Sequence, residues 1–130
     1  MKNRAIVLSF LSLILFPFHM VYGDNNQLAD EVMAIHDEAM AKMTHMHELK
    51  LKLQDLQEKQ GPSDQITTAI EDLQNAHKGM MQWMRAYKAP KTPQELEAAE
   101  TYLLQEKEKI KKVSEAINSS IAGSEKILTQ

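Results

Sequence analysis

The sequence predicts an all-α fold, an antiparallel up-down-up bundle of three helices, from three observations. Apolar residues recur at steps of three and four along most of the 130 residues, which is the period of one helix face. Proline-containing breaks interrupt that period at Gly61-Pro62 and at Ala89-Pro90. The chain has 4 Gly and 4 Pro, too few for the many turns of an all-β protein.

Residues 1–23 are typical of a secretory signal peptide. Lys2 and Arg4 precede an apolar run from Ala5 to Phe18, and Val21 and Gly23 are small or modest residues at the −3 and −1 positions that signal peptidase reads. The run is shorter than the roughly 20 residues that cross a bilayer. We therefore expect cleavage after Gly23, one exported domain over residues 24–130 and no membrane span after cleavage. An uncleaved N-terminal anchor is the alternative.

Composition limits the class of protein. The chain has no Cys, which excludes a disulfide framework, a thiolate metal site and a cysteine nucleophile, and also a lipid anchor on cysteine. Its formal charge of −3 argues against nucleic acid, whose binding needs a basic face. A cysteine-free exported helical protein fits the bacterial periplasm or envelope, or secretion from the cell.

The first helix is predicted over about residues 27–59, followed by a second over about 64–88. Gly61-Pro62 ends the first, because glycine accepts the left-handed cap conformation and proline restricts the residue before it. The first apolar stripe contains Leu28, Val32, Ile35, Ala39, Met43, Met46, Leu49, Leu53 and Leu56. The second contains Ile66, Ile70, Leu73, His77, Met80, Met84 and Tyr87.

The third helix is predicted over about residues 93–121. Thr92-Pro93-Gln94-Glu95 is a capping box with proline at the first helical position. Ala122-Gly123 predicts the start of a frayed C-terminal tail at about residue 122. Because the loops between the helices are short, consecutive helices should lie antiparallel. A single long coiled coil is the rival, and the proline breaks argue against it.

Methionine and histidine gather in two segments that the fold should bring together. A hairpin turning at residues 60–64 pairs positions whose numbers sum to about 124. His77 then faces His47, Met81 faces Met43, and Met84 faces Met40. Two interpretations stay open: methionine fills irregular core space, or thioether and imidazole groups bind a soft ion such as Cu(I) or Ag(I). The candidate ligands are Met40, Met43, His47, His77, Met81 and Met84, with His36 and Met80 as extras.

The sequence lacks the common patterns of catalytic sites. No histidine has a glutamate three residues before it, as a ferritin-like di-iron centre requires. His47-Glu48 resembles the start of a zincin motif, but Leu51 stands where the second histidine belongs. We therefore expect a protein that is not an enzyme and has no cofactor unless it binds Cu(I) or Ag(I).

Two segments, residues 31–43 (EVMAIHDEAMAKM) and residues 76–84 (AHKGMMQWM), resemble the signature segments of a family of small exported bacterial helical proteins. The family is largely uncharacterised, many members are lipoproteins, and some carry the label "viral A-type inclusion protein". The resemblance implies an exported helical protein and brings no catalytic residue with it.

These observations favour an envelope protein that binds another protein, as an adaptor or a small chaperone. The first predicted helix is longer than the second by about two turns, which leaves Leu49, Leu53 and Leu56 short of cover at one end. A protein partner or a second copy of the chain would cover them. Periplasmic binding of Cu(I) or Ag(I) through the Met/His residues is the alternative function.

Overall fold

The structure is a computed structural model that describes residues 21–130. It confirms the all-α class, because the described residues form helices and no strand. The bounds are Val21–Met40 for α1, Met43–Gln60 for α2, Asp64–Ala86 for α3, Pro93–Glu97 for α4 and Glu100–Leu128 for α5. The expected signal peptide lies outside the described residues, apart from residues 21–23, which belong to α1.

The first predicted helix is divided, so the prediction of one unbroken helix over 27–59 is wrong. α1 begins at Val21, and a turn at Ala41-Lys42 separates it from α2. In this turn the Lys42 amide donates to the Ala39 carbonyl (3.1 Å), a three-residue step that tightens the backbone. The Lys42 ammonium group reaches α5 and donates to the Asn118 side chain (2.7 Å). The break itself carries no Gly or Pro.

The loop between α2 and α3 agrees with the sequence. Gly61 has φ +88°, the left-handed conformation that glycine adopts without steric cost, and its amide donates to the Gln57 carbonyl (2.9 Å). α3 ends at Ala86, two residues before the predicted end at 88.

The buried face of α3 differs from the predicted stripe, because His77 and Met84 are exposed. α3 packs against both α2 and α5, and its small residues make the close approach to neighbouring helices. The buried residues of α3 are Ile66, Ala69, Leu73, Ala76, Met80 and Trp83.

The third predicted helix begins where the capping box placed it and is then interrupted. Thr92 Oγ1 accepts a hydrogen bond from the Glu95 amide (3.2 Å). α4 stops at Glu97, and α5 starts at Glu100. The buried side chain of Asn25 explains the interruption, because its amide nitrogen donates to the carbonyls of Leu96 and Glu97 (2.9 and 3.2 Å). These carbonyls at the end of α4 therefore have a partner outside their helix.

α5 continues to Leu128, so the predicted helix end at about 121 and the frayed tail from about 122 are wrong. Gly123 lies inside the helix, where it lowers the local helix propensity without ending the helix. Tertiary packing outweighs that cost: Ser124 is fully buried, and Ile127 and Leu128 pack against the core.

The helices enclose one core, and α5 contacts α1, α2 and α3. Three polar contacts between α1–α2 and α5 (Glu31 with Lys107, Lys42 with Asn118, His45 with Glu125) show that these segments run in the same direction. α3 runs in the opposite direction, since Gln57 bonds Thr67 and His36 contacts Trp83. Among the described helices, none combines the length and the apolar character that a bilayer crossing requires.

Glycine substitutions test the two opposite roles of glycine in this fold. The Gly123→Ala variant should be more stable by about 0.5–1 kcal/mol, because alanine favours helix and a Cβ there meets nothing within 4 Å. The Gly61→Ala variant should lose about 1–2 kcal/mol through left-handed strain, although a Cβ there also meets open space. Urea denaturation of both variants measures whether the free energy of unfolding rises or falls in each. A destabilised Gly123→Ala chain would contradict the assignment of a packed C-terminal helix.

The ion pair between α1 and α5 should make stability depend on pH. Lys107 Nζ donates to Glu31 Oε2, and this bond is the main reason that the pKa of Glu31 lies below its usual value of 4.5. A lowered pKa in the folded state stabilises the protein above the unfolded-state pKa, and the stabilisation is lost as the pH falls through the folded-state pKa.

A double-mutant cycle with Glu31→Gln and Lys107→Gln measures this coupling. We expect a favourable coupling energy at pH 7 that decreases with added salt and disappears as the pH falls through the lowered pKa of Glu31 and the carboxyl becomes protonated. A coupling energy that does not change over this range would show that the pair contributes nothing through charge.

Candidate Met/His pocket

A surface pocket of about 500 Å³ lies between α2 and α3 and contains three of the six predicted ligands, Met43, His47 and His77. Its other lining residues are Thr44, Met46, Lys50, Leu73 and Gln74. Size and apolar walls of this kind are typical of small-ligand sites. The pocket joins the two Met/His segments that the sequence predicts to meet.

Local structure positions the donors. Met43 is the first residue of α2, directly after the turn at 41–42, and His47 follows one helical turn later on the same face. His77 comes from the middle of α3. Buried Met46 and Leu73 form the apolar floor, while both imidazoles are exposed at the rim. Two helices therefore present one thioether and two imidazoles around one opening.

The charge of the pocket is unusual for a cation site. No lining residue is a carboxylate, and Lys50 contributes the one side chain that is always charged at neutral pH. Hard cations such as Mg²⁺ and Ca²⁺ need oxygen ligands, which these side chains supply only through Thr44 and Gln74. Soft neutral sulfur and nitrogen donors remain, and they suit Cu(I) or Ag(I). Among the described residues, no group of three or more His, Asp and Glu forms a conventional cation site.

The remaining predicted ligands do not line this pocket. Met40 and Met81 are half-buried and pack against the core, and Met84 is 42% exposed. His47 and His77, a predicted pair, line the same pocket, whereas Met81 does not line it and its pairing with Met43 stays a prediction. Met43 also shares the pocket with His77, and His36 contacts Trp83.

The two extra candidates have other roles. Met80 is fully buried in the core. His36 Nδ1 lies 2.8 Å from Asp37 Oδ1, and its ring lies 5.6 Å from the Trp83 ring. Trp83 in turn stacks on Tyr87 at 4.8 Å. His36 therefore belongs to a column of aromatic rings on α1 and α3, and it is not among the residues that line the pocket.

Sequence reasoning missed Met46, Lys50 and Gln74 as pocket residues. The sequence places Met46 in the apolar stripe, and in the structure this residue is buried and also lines the pocket. Lys50 follows His47 by three residues, a spacing that puts both on one side of a helix. This spacing is present in the sequence, but by itself it does not distinguish a pocket residue from a charge on the helix surface.

No known protein family, curated protein or solved structure matches this chain. The resemblance to exported bacterial helical proteins therefore stays a prediction. The pocket is the observation that supports a function.

Stability measurements separate the methionines of the core from those of the surface. The Met80→Ala variant should lose about 2–5 kcal/mol in the free energy of unfolding, because it leaves a cavity at a site with no exposure. The Met84→Ala variant should change it by less than about 0.5 kcal/mol, since this side chain is 42% exposed. Equal losses in the two variants would contradict the orientation of α3.

Proposed function

We propose that this chain is an exported, non-enzymatic helical-bundle protein that binds Cu(I) or Ag(I) through Met43, His47 and His77. The observation that carries the proposal is their presence in one pocket although they come from two helices. Met46 also lines this pocket but is only 3% exposed, so it is not counted among the proposed ligands.

The chemistry of these donors favours a soft monovalent ion. A thioether is a poor ligand for hard cations, and its preference for soft ions is strong. Two imidazoles alone would leave Zn²⁺ short of its usual four ligands. A neutral donor set keeps the single positive charge of Cu(I), whereas a divalent ion would remain doubly charged beside Lys50. Ligand softness and site charge therefore favour the same class of ion.

The proposed location is the bacterial periplasm or envelope. Residues 1–23 have the composition of a secretory signal, and thioether and imidazole ligands remain available where thiols become oxidised. In this proposal the chain folds as an up-down-up bundle of three rods, α1–α2, α3 and α4–α5. The antiparallel neighbours α2 and α3 then hold the metal ligands on rigid elements.

Protein binding is the second function that the sequence predicts, as an adaptor, a chaperone or a homodimer. The sequence favours this function because Leu49, Leu53 and Leu56 are predicted to lack cover at one end of the first helix. In the structure the first two are buried and Leu56 is half-buried, because α5 continues far enough to pack against this end. The exposed large apolar residues are Met33, Leu51, Met84 and Leu104, each on a different helix. Single exposed residues of this kind are common on monomers, so the metal proposal has the stronger support.

A competition titration against a Cu(I) chelator tests the metal proposal. The Met43→Leu/His47→Gln/His77→Gln variant should bind Cu(I) at least about 100-fold more weakly, since loss of three ligands removes the site. The Met40→Leu/Met84→Leu variant is the matched control, because both residues were predicted ligands and neither lines the pocket. Its affinity should stay within about twofold, as isosteric replacement leaves packing nearly unchanged.

Circular dichroism of both variants checks that they fold. Unchanged Cu(I) affinity in the folded triple variant would refute the proposed site. A loss of affinity in the control variant would shift the site to the ligand set that the sequence predicts.

A further inference from the structure

Lys50 occupies an unexpected position for a residue of a cation site. It lines the same pocket as Met43, His47 and His77, and it lies on the face of α2 that carries Met46 and His47, four and three residues earlier. A lysine beside a metal weakens binding by charge repulsion, so its presence needs a reason other than affinity.

Within the part of the chain that the structure describes, Lys50 takes part in none of the ion pairs. The positions one turn away on α2 hold Met46, His47, Leu53 and Gln54, and no carboxylate lines the pocket. Glu48, two residues before Lys50, is directed to His45, at 3.9 Å. The ammonium charge therefore acts on the pocket without a local counter-charge.

We propose that Lys50 is a specificity-determining residue that selects monovalent over divalent ions at the pocket. This inference rests on the proposed binding of Cu(I) or Ag(I). The repulsion energy is proportional to the product of the two charges, so Lys50 penalises a divalent ion twice as strongly as a monovalent one. If the repulsion lowers the binding constant of Cu(I) by a factor f, it lowers that of Zn²⁺ by f², because doubling the energy squares the factor. The two imidazoles would otherwise attract Zn²⁺, and the charge offsets this attraction.

The sequence of α2 offers a matched control for this charge. Lys52 lies two residues after Lys50 on the same helix, is exposed and does not line the pocket. The Lys50→Gln and Lys52→Gln variants therefore change the net charge and the amino-acid composition identically. The Lys50→Arg variant keeps the positive charge but replaces the ammonium group with a guanidinium group of different shape. Glutamine is chosen over methionine at position 50, because methionine would add a thioether donor.

The experiment measures Cu(I) and Zn²⁺ affinities of the full chain and the three variants at two salt concentrations. In Lys50→Gln, Cu(I) affinity should rise about threefold and Zn²⁺ affinity about tenfold, the square relation expected from the charges. Lys52→Gln and Lys50→Arg should stay within about twofold of the unmodified chain. The gain in Lys50→Gln should shrink at high salt, because ions screen an exposed charge.

The outcomes distinguish this inference from the proposed function. If the unmodified chain does not bind Cu(I), both are overturned. If it binds Cu(I) and Lys50→Gln raises both affinities by the same factor, or by no more than Lys52→Gln, the charge selection is overturned and the Cu(I) site stands.

Discussion

The chain reversal at Gly61 is the constraint on which the pocket depends. Gln57 makes two hydrogen bonds at this reversal. Its carbonyl accepts a bond from the Gly61 amide, and its side-chain amide donates to Thr67 Oγ1 at 3.0 Å. The last turn of α2 is thereby tied to the first turn of α3. Because both helices are stiff, this tie sets which residues of α2 and α3 lie at the same height. His47 and His77 meet at the pocket as a consequence of a turn that lies several helical turns away.

The second constraint is the length of α5, which covers the rest of the bundle. It contacts α1, α2 and α3, and its last residues pack over the end of the bundle that would otherwise expose leucines. The fully buried Ser124 shows how close this packing is: its hydroxyl has no hydrogen-bond partner among the described residues, a cost of about 1–3 kcal/mol. The packing of Ile127 and Leu128 offsets part of that cost. The last turns of α5, where Gly123 lowers the helix propensity, are thus stabilised by tertiary contacts.

The sequence predicted those features that local chemistry determines. Thr92 caps a helix because its hydroxyl accepts a bond from a residue three positions on, and Gly61 ends one because its own φ is positive. The break at residues 41–42 was not predictable in this way, since it carries no Gly or Pro and its Lys42 contacts Asn118 on α5, 76 residues away. At the interruption at 98–99, the distant Asn25 side chain bonds the last carbonyls of α4. At both places the contact joins residues more than 70 positions apart in the sequence.

Only three of the six predicted ligands line the pocket, because tertiary packing decides which face of α3 is buried. Periodicity identifies several neighbouring faces of α3 that carry apolar residues, and only the positions of α2 and α5 decide which of them is buried. Ala69 and Ala76 face inward and His77 outward, a rotation that the sequence alone does not fix. The pairing of Met43 with a residue near 80 was also an extrapolation from the loop. Helices can cross at an angle, so the loop alone does not fix which residue of α3 lies beside Met43.

The sequence left packing and metal binding as alternatives for the methionines, and the structure places these side chains in different surroundings. Met46 and Met80 are buried and fill the core, while Met43 is half-buried at the pocket beside two exposed imidazoles. A flexible thioether suits both roles, because the same side chain fills irregular space and coordinates soft ions. What separates the roles is the water-accessible opening next to Met43, together with the nitrogen donors that share it. The pocket therefore distinguishes Met43 from the buried methionines, and the proposed Cu(I) or Ag(I) site does not require that the other methionines bind an ion.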